Sequence, residues 1–411
     1  MIKNFGPTLS ALGKHKSAVA ILLLEVALTC AILCNALYLI HRRIDAVNVA
    51  SGVDEAHLLH ISLTGIGNDD DAMAQTRADL AALRTLPGAA NASMVTQIPL
   101  NNSSWNSGVN SLPDDKGVGI NATMYMGDEG MLDTFGVRLV AGRMFASDEY
   151  LDVPDEATFN KGLPKVAIVT RTMADTLYPD GDAVGKTFYI GSPEPVTIIG
   201  IVDSLLRPSS GSWGADSAQY SMLLPVRMPY SLAHRYLIRV KPDARPEDVL
   251  KAAVAELRKQ NPRRVILDGQ TFPEIRQAFF AQDKAMVWLL SIVSLILLAV
   301  TAFGIVGLAS FWVQQRTKQI GVRRALGATR GEILRYFQTE NFLIVTGGIV
   351  LGMLLAFGIN QWLMGKYELP RLPWQYLPIG ALLLLLLGQL AVLWPALRAA
   401  SIPPATATRS V

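Results

Sequence analysis

Four stretches of this chain are almost free of charge: Ser17 to Ile40, Ala285 to Gln315, Asn341 to Gly365 and Leu377 to Leu397. A helix needs about 20 apolar residues to cross the hydrocarbon core of a bilayer, and each stretch meets that length. Four membrane-spanning helices are therefore expected. The first follows Lys3, Lys14 and Lys16, as a signal peptide would. Its apolar run is too long for a signal h-region of roughly 7 to 15 residues, and no small-x-small cleavage site follows, so it reads as an uncleaved anchor.

Four spans put both termini on one side. The N-terminus, the segment 316–340 and the C-terminal tail carry eleven Lys and Arg (Lys3, Lys14, Lys16, Arg316, Lys318, Arg323, Arg324, Arg330, Arg335, Arg398, Arg409) against two acids, Glu332 and Glu340. The positive-inside tendency makes that face cytoplasmic, although Arg42 and Arg43 after the first span argue the other way. Residues 44–280 hold 29 acidic and 21 basic side chains and form a large domain on the opposite face. The expected organisation is a cytoplasmic segment 1–16, spans 17–40, 285–315, 341–363 and 377–398, the external domain 41–284, a cytoplasmic hairpin 316–340, a short external loop 364–376 and a cytoplasmic tail 399–411. The fold class is an α-helical membrane protein with an α+β domain inserted between its first and second helices.

Inside that domain, "HLLHISL" (57–63) alternates like a strand and "DAMAQTRADLAALRTLPG" (71–88) has helical spacing that Pro87-Gly88 stops. Strands are expected near "ASMVTQI" and "INATMYM", with a polar loop from Asn101 to Gly119 between them. Residues 237–267 read as strand, helix, strand, and such a unit packs its helix on one face of a sheet. A separate group of strands falls between Gly162 and Asp203, so two lobes are expected. "FPEIRQAFFAQDK" has helical spacing and runs into the second span, as a rigid connection would.

Catalytic and metal chemistry finds no foothold. There is no G-x-x-x-x-G-K-[ST] run and no G-x-G-x-x-G opening a helix, so the chain is not expected to bind ATP. Of five histidines only His57 and His60 are close, and on one strand positions three apart face opposite sides. The serines of "SSGSWG" (209–214) lack the strand-to-helix setting of a nucleophile elbow. Cys30 and Cys34 lie four apart inside the first span, where packing is the expected role. The external domain has no cysteine and hence no disulfide.

Glu25 is the one acid within a span. An intramembrane acid is a functional candidate by default, but its nearness to Lys16 favours pairing with a basic residue or the headgroups. Gly348, Gly352 and Ala356 recur every four residues on one helix face, where small side chains let another helix approach closely, within or between subunits.

The stretch "QIGVRRALGATRGEI" (319–333) is the most informative. The second span is expected to continue as helix through Arg316 and Lys318 to Leu326. Gly327 then stands where a helix C-terminal glycine belongs, and "TRGE" (329–332) is a capping box that starts the next helix. A polybasic tether to anionic lipid would need charge and little shape. Here capping residues specify a stiff helical hairpin, which favours docking into a partner. Nucleic acid is not expected, because there is no aromatic platform and both ends run into the bilayer.

Residues 316–359, "RTKQIGVRRALGATRGEILRYFQTENFLIVTGGIVLGMLLAFGI", resemble the signature stretch of MacB/FtsX-type ABC transporter permeases, which include the lipoprotein-release permeases. Phe337 and Glu340 match that family's phenylalanine and glutamate, and Gln319 departs from its usual glutamate. "NATMYMGDEGMLDTFGVRLVAGRMFASDE" and the segments that follow to Asp203 resemble its periplasmic core domain. The order of one helix, a large external domain, then three helices fits as well.

The resemblance implies a permease subunit in a bacterial inner membrane. It further implies a separate cytoplasmic ABC ATPase dimer that carries ATP and magnesium, since the ATPase domain fused to some members has no counterpart here. A second permease copy or paralogue, membrane lipid and, in efflux systems, a periplasmic adaptor complete the expected partners. No catalytic group, cofactor or metal is expected in this chain. On this reading Ile320, Arg323, Arg324, Ala325, Leu326, Gly327, Thr329, Arg330 and Glu332 form the ATPase-coupling surface. The competing reading is a membrane-anchored periplasmic sensor or signalling subunit, for example one regulating cell-wall hydrolases, with the Asn101 to Gly119 loop as its binding surface.

Overall fold

Each of the charge-free stretches lies in a helix. The computed structural model describes residues 16–66, 71–113, 119–159, 162, 164–209, 217–367 and 372–403. Lys3, Lys14, Arg409 and most of the "SSGSWG" segment lie outside them. Helix α1 spans Lys16–Val47, and its charge-free face lets it sit among apolar neighbours. The chain divides into two compact units, one made of Met1–Asn48 with Gln282–Val411 and the other of Val49–Ala281.

The second unit begins with strand β1 (Leu58–Gly65), as its alternation predicts, and helix α2 (Ala72–Arg84). Strands β2 (Ala89–Val95), β3 (Asn106–Asn110) and β4 (Gly119–Gly127) follow, then the short helix α3 (Met131–Phe135). Next come β5 (Leu139–Gly142), β6 (Leu151–Asp152), β7 (Val166–Thr170), α4 (Arg171–Leu177), β8 (Thr187–Ile190), β9 (Pro195–Val202) and β10 (Ser221–Arg227). Strand β11 (Arg235–Val240), helix α5 (Pro246–Gln260), strand β12 (Arg264–Thr271) and helix α6 (Phe272–Phe279) complete it. Helix α5 shows why these residues choose a helix. Pro246 opens it, Glu247 and Asp248 occupy its positive end, and Arg258 and Lys259 its negative end.

Strands β12, β1, β11 and β2 lie in that order and pair antiparallel, with α2 between β1 and β2 and α5 between β11 and β12. That is a split β-α-β arrangement of ferredoxin-like type. The insertion between β2 and β11 builds a second group. There β4, β3, β8, β9, β7 and β10 pair in sequence, and β10 pairs again with β4, so the path closes on itself, with the short strands β6 and β5 added at β10 and β9. The strands expected between Gly162 and Asp203 are present but not as a separate lobe: β2 pairs with β4 at Val95 and Gly127, so the two groups join in one sheet and share one apolar core. Strand β3 departs from the polar loop expected over Asn101 to Gly119. Its only apolar side chain is Val109, and it is a strand because β4 and β8 supply partners on both sides. Residues 114–118 of that loop lie outside the described residues.

Charge inside the first group is paired. Asp79 on α2 is fully buried and takes two hydrogen bonds from the Arg264 guanidinium and one from the Tyr236 hydroxyl. His57 lies in a short helical turn ahead of β1, bonded to Asp54, while His60 is buried on β1 beside Asp268. The two histidines are therefore not on one strand, contrary to the reading of "HLLHISL".

The first unit continues with helix α7 (Ala281–Gln315), α8 (Thr317–Ala325), α9 (Arg330–Tyr367) and α10 (Tyr376–Ala400). The expected continuous helix from 272 into the second span is broken at Phe280, which leaves helical geometry with ψ near 8°. At the start of α7, Asp283 pairs with Arg43 of α1, which explains how a basic residue is carried after the first span.

The small-residue stripe of α9 packs against α1 of the same chain. A Cβ on Gly352 would stand 2.5 Å from the Cys30 Cβ and 2.6 Å from the Ala27 carbonyl oxygen, and one on Gly348 would stand 2.7 Å from Val26. Ala356 is fully buried. Cys30 and Cys34 are free thiols within this packing, Cys34 lying against Gly380 of α10.

Candidate functional site: the elbow between α7 and α9

The helix expected to run unbroken to Leu326 bends at Arg316, whose φ of −100° and ψ of 9° lie outside helical geometry. Thr317 sets the bend by donating its hydroxyl to the carbonyls of Val313 and Gln314, a local bond that competes with the helix ladder. Arg316 is held in turn. Its Nη1 lies 3.0 and 2.9 Å from the two carboxylate oxygens of Glu340, and its guanidinium sits over the Trp312 ring. Glu340 is 1% exposed, so this is a buried ion pair rather than a surface one.

Helix α8 ends as its glycine predicts. Gly327 has φ +102°, its N–H bonds to the Arg324 carbonyl at 3.1 Å, and the Ala328 N–H reaches back to Arg323 at 3.0 Å. Those two bonds make a Schellman motif, which needs a residue in the left-handed region at that position. Helix α9 starts at once: Thr329 N–H donates to Glu332 at 2.8 Å, and the Glu332 N–H donates to the Thr329 hydroxyl at 3.3 Å. The capping box read from "TRGE" is present in full.

The nine residues assigned to this surface separate into three sets. Leu326 is 83% exposed at the tip, beside exposed Val322 and Ala325, with Gly327, Thr329, Arg330 and Glu332 exposed around the turn. Arg323 lies over the Tyr336 ring at 5.2 Å. Ile320 and Arg324 are turned inward. Ile320 is packed with Val313, Ile333, Phe337, Ala396, Ala399 and Ala400. Arg324 Nη1 donates to the carbonyls of Ala400 at 3.0 Å and Ile402 at 2.7 Å. The stiff hairpin expected here does not stand clear of the helices: α8 packs back on α9 and α10 through the single buried side chain of Ile320 and the Arg324 bonds to the end of α10.

Between the legs, a cleft is lined by Arg316, Gln319, Arg323, Glu332 and Tyr336. It contains no nucleophile paired with a base. What the arrangement can do is present a stiff apolar tip, with Arg323 and Arg330 exposed beside it and Arg324 turned away onto α10. Sequence reading missed Arg316 and Glu340 as partners. The signal available was an acid at the mouth of an apolar run with arginine as the nearest opposite charge on the neighbouring helix.

Glu25 has its carboxylate against α7, its oxygens lying 2.6 and 2.9 Å from where a Cβ on Gly304 would be. One turn on, the Thr29 and Thr301 hydroxyls share a hydrogen bond of 2.9 Å.

Four helices long and apolar enough to cross a membrane, a sheet-rich unit between the first and second and a capped elbow between the second and third accompany sequence matches that mark a multi-pass membrane protein of the ABC permease class. Residues 35–260 match the MacB-like periplasmic core domain and residues 291–404 the FtsX-like permease C-terminal domain, and the chain belongs to the family these two domains define. The macrolide export ATP-binding/permease protein MacB of Chromobacterium violaceum is 28% identical over 255 residues, covering 60% of this chain and 36% of that protein. The chain thus spans about a third of the length of that relative. An uncharacterized ABC transporter permease of Bacillus subtilis, YvrN, is 25% identical over 300 residues, covering 70% of this chain and 69% of that one. The crystal structure of the periplasmic region of MacB from Actinobacillus actinomycetemcomitans covers 55% of this chain and 94% of its own at 13% identity, with a TM-score of 0.35, too slight a likeness to bear on the fold.

Proposed function

We propose that this chain is the permease subunit of an ABC transporter in a bacterial inner membrane, and that its elbow receives the motion of a cytoplasmic ATPase. The observation that carries this reading is the tip. Leu326 is 83% exposed beside exposed Val322 and Ala325, on a turn fixed by caps on both sides, and an apolar patch held outward in one fixed shape suits a docking partner. Hydrolysis of ATP, with its magnesium, takes place in the partner. The chain itself contributes no catalytic group in this reading.

The termini and residues 316–340 lie in the cytoplasm, the spans follow the boundaries 17–40, 285–315, 341–363 and 377–398, and residues 41–284 face the periplasm. Two permease chains sit on two ATPase subunits. Lipid covers the exposed apolar side chains of α7, among them Trp288, Leu295 and Phe303. Movement of the elbow reaches the periplasmic domain, where it acts in efflux, in extraction of a substrate or in mechanical signalling, with a periplasmic adaptor in the first case.

Affinity purification of the full chain from its native membrane tests this. An ATPase subunit is expected to co-purify, and Leu326→Glu is expected to abolish that association. Retention of the ATPase by Leu326→Glu, or its absence from the wild-type preparation, overturns the reading.

A further inference from the structure

A tip that receives force is useful only if its base is fastened, and the fastenings of the elbow are unequal. Helix α7, from which α8 leaves through the bend at Arg316, buries only a narrow stripe: Ser294, Thr301, Ile305, Ala309, Trp312 and Val313. Helix α8 is instead attached to α9 and α10. Ile320 packs into their apolar cluster, and the Arg316 carboxylate partner, Glu340, belongs to α9.

The attachment to α10 is a matter of unsatisfied backbone. The last four carbonyls of a helix have no partner within it. At the end of α10 the Ser401 N–H covers the carbonyls of Leu397 and Arg398, and the Ile402 N–H covers Ala399. The last carbonyl of the helix, that of Ala400, and the Ile402 carbonyl just beyond its end are both taken by one nitrogen of Arg324, 76 and 78 residues earlier in the chain. A cation there also meets the negative end of the helix dipole. The guanidinium is thus committed to α10 and points away from the exposed side of the turn where Leu326 stands.

We propose that Arg324 is a positioning residue that locks the elbow to the C-terminal end of α10, so that displacement of the tip is delivered to the α9–α10 pair. The inference rests on the elbow being the ATPase contact, and it assigns separate duties to neighbouring residues: Leu326 binds, Arg324 transmits.

The test uses the full chain in lipid nanodiscs with the variants Arg324→Met, Arg324→Lys, Arg323→Met and Leu326→Ala. Without ATPase, Arg324→Met is expected to speed amide exchange at least tenfold in both 317–326 and 398–402, Arg324→Lys to restore part of the protection, and Arg323→Met to leave 398–402 unchanged. With the co-purifying ATPase, Arg324→Met is expected to bind as tightly as wild type while permease-dependent ATP hydrolysis falls at least fivefold, whereas Leu326→Ala weakens binding. Unchanged exchange at 398–402 in Arg324→Met, an equal effect from Arg323→Met, or a loss of binding in place of transmission overturns the proposal. If the wild-type chain binds no ATPase, the reading of function fails, and the exchange measurements still decide whether Arg324 is the lock.

Discussion

Arg323 and Arg324 are adjacent and chemically identical, and the fold gives them opposite surroundings, an aromatic ring at the surface and the carbonyls of a helix end. The Arg316–Glu340 pair shows the same dependence on a distant partner. Removing one member of a buried pair leaves the other charge uncompensated at a cost of about 3–5 kcal/mol. Glu340→Ala should therefore lower the thermal midpoint of the solubilised chain clearly, and Glu340→Ala combined with Arg316→Met should recover most of the loss. A single variant with a wild-type midpoint would show that the pair is not buried in solution.

In the external unit, burial pushes His60 down to about 4, outweighing the nearby Asp268, which favours the charged ring, with Arg235 opposing charge as well. An unfolded chain binds this proton below its ordinary value of about 6.5 while the folded chain does not. The stabilisation is thus whole above about pH 6.5 and is lost as pH falls toward 4, by about 3 kcal/mol in total. Urea midpoints of the external unit at pH 7 and pH 4.5 should differ by that order, and His60→Gln should flatten the difference.

Among the elements, helix α9 carries two contrasting glycines. Gly352 faces α1 with no room for a methyl group, whereas Gly358 has nothing within 4 Å of the space a Cβ would fill. Gly352→Ala is expected to push α9 from α1 and cost about 1–3 kcal/mol by overpacking. Gly358→Ala should be neutral or stabilising by about 1 kcal/mol, since alanine is the better helix former. Equal thermal midpoints for the two variants would contradict the seam. At the head of the same helix, Thr329→Ala removes half of the capping box and should cost about 1 kcal/mol, with faster amide exchange confined to residues 330–334. Thr329→Ser, which keeps the hydroxyl, should behave as wild type.

These elements also mark where sequence reading succeeds. Caps are local: Gly327, Thr329 and Glu332 lie within six positions, and backbone groups must be satisfied nearby, so a turn could be read from them directly. Strand β3 could not be read so, because "NSGVN" has little strand propensity and owes its state to partners on β4 and β8. The bend at Arg316 escaped for a similar reason. No glycine or proline marks it in Arg316-Thr317-Lys318-Gln319, and what holds it is one threonine hydroxyl and a carboxylate 24 residues away.

For the whole molecule, the two units should respond differently to denaturant. The unit Val49–Ala281 has an apolar core of its own and no disulfide to hold it, so urea unfolds it as an ordinary water-soluble core. Backbone hydrogen bonds of the membrane helices have no competing water, which makes them far more resistant. Urea titration in detergent micelles is expected to show an early loss of strand signal while most helical signal persists, and one concerted transition would contradict it.

Composition and near neighbours suffice for four helices apolar enough to span a bilayer, an acidic α+β domain between the first two, and a capped turn between the second and third. Those follow from the cost of exposing apolar surface and leaving backbone groups unpaired, and both costs are incurred within a few residues. Long-range packing was needed to settle which of the elbow's residues face outward, that Gly352 meets α1, that the second group of strands closes on itself, and that Arg324 caps the end of α10. Each of those is a contact between residues far apart in the chain, and spacing along a chain carries no record of which distant partner will arrive.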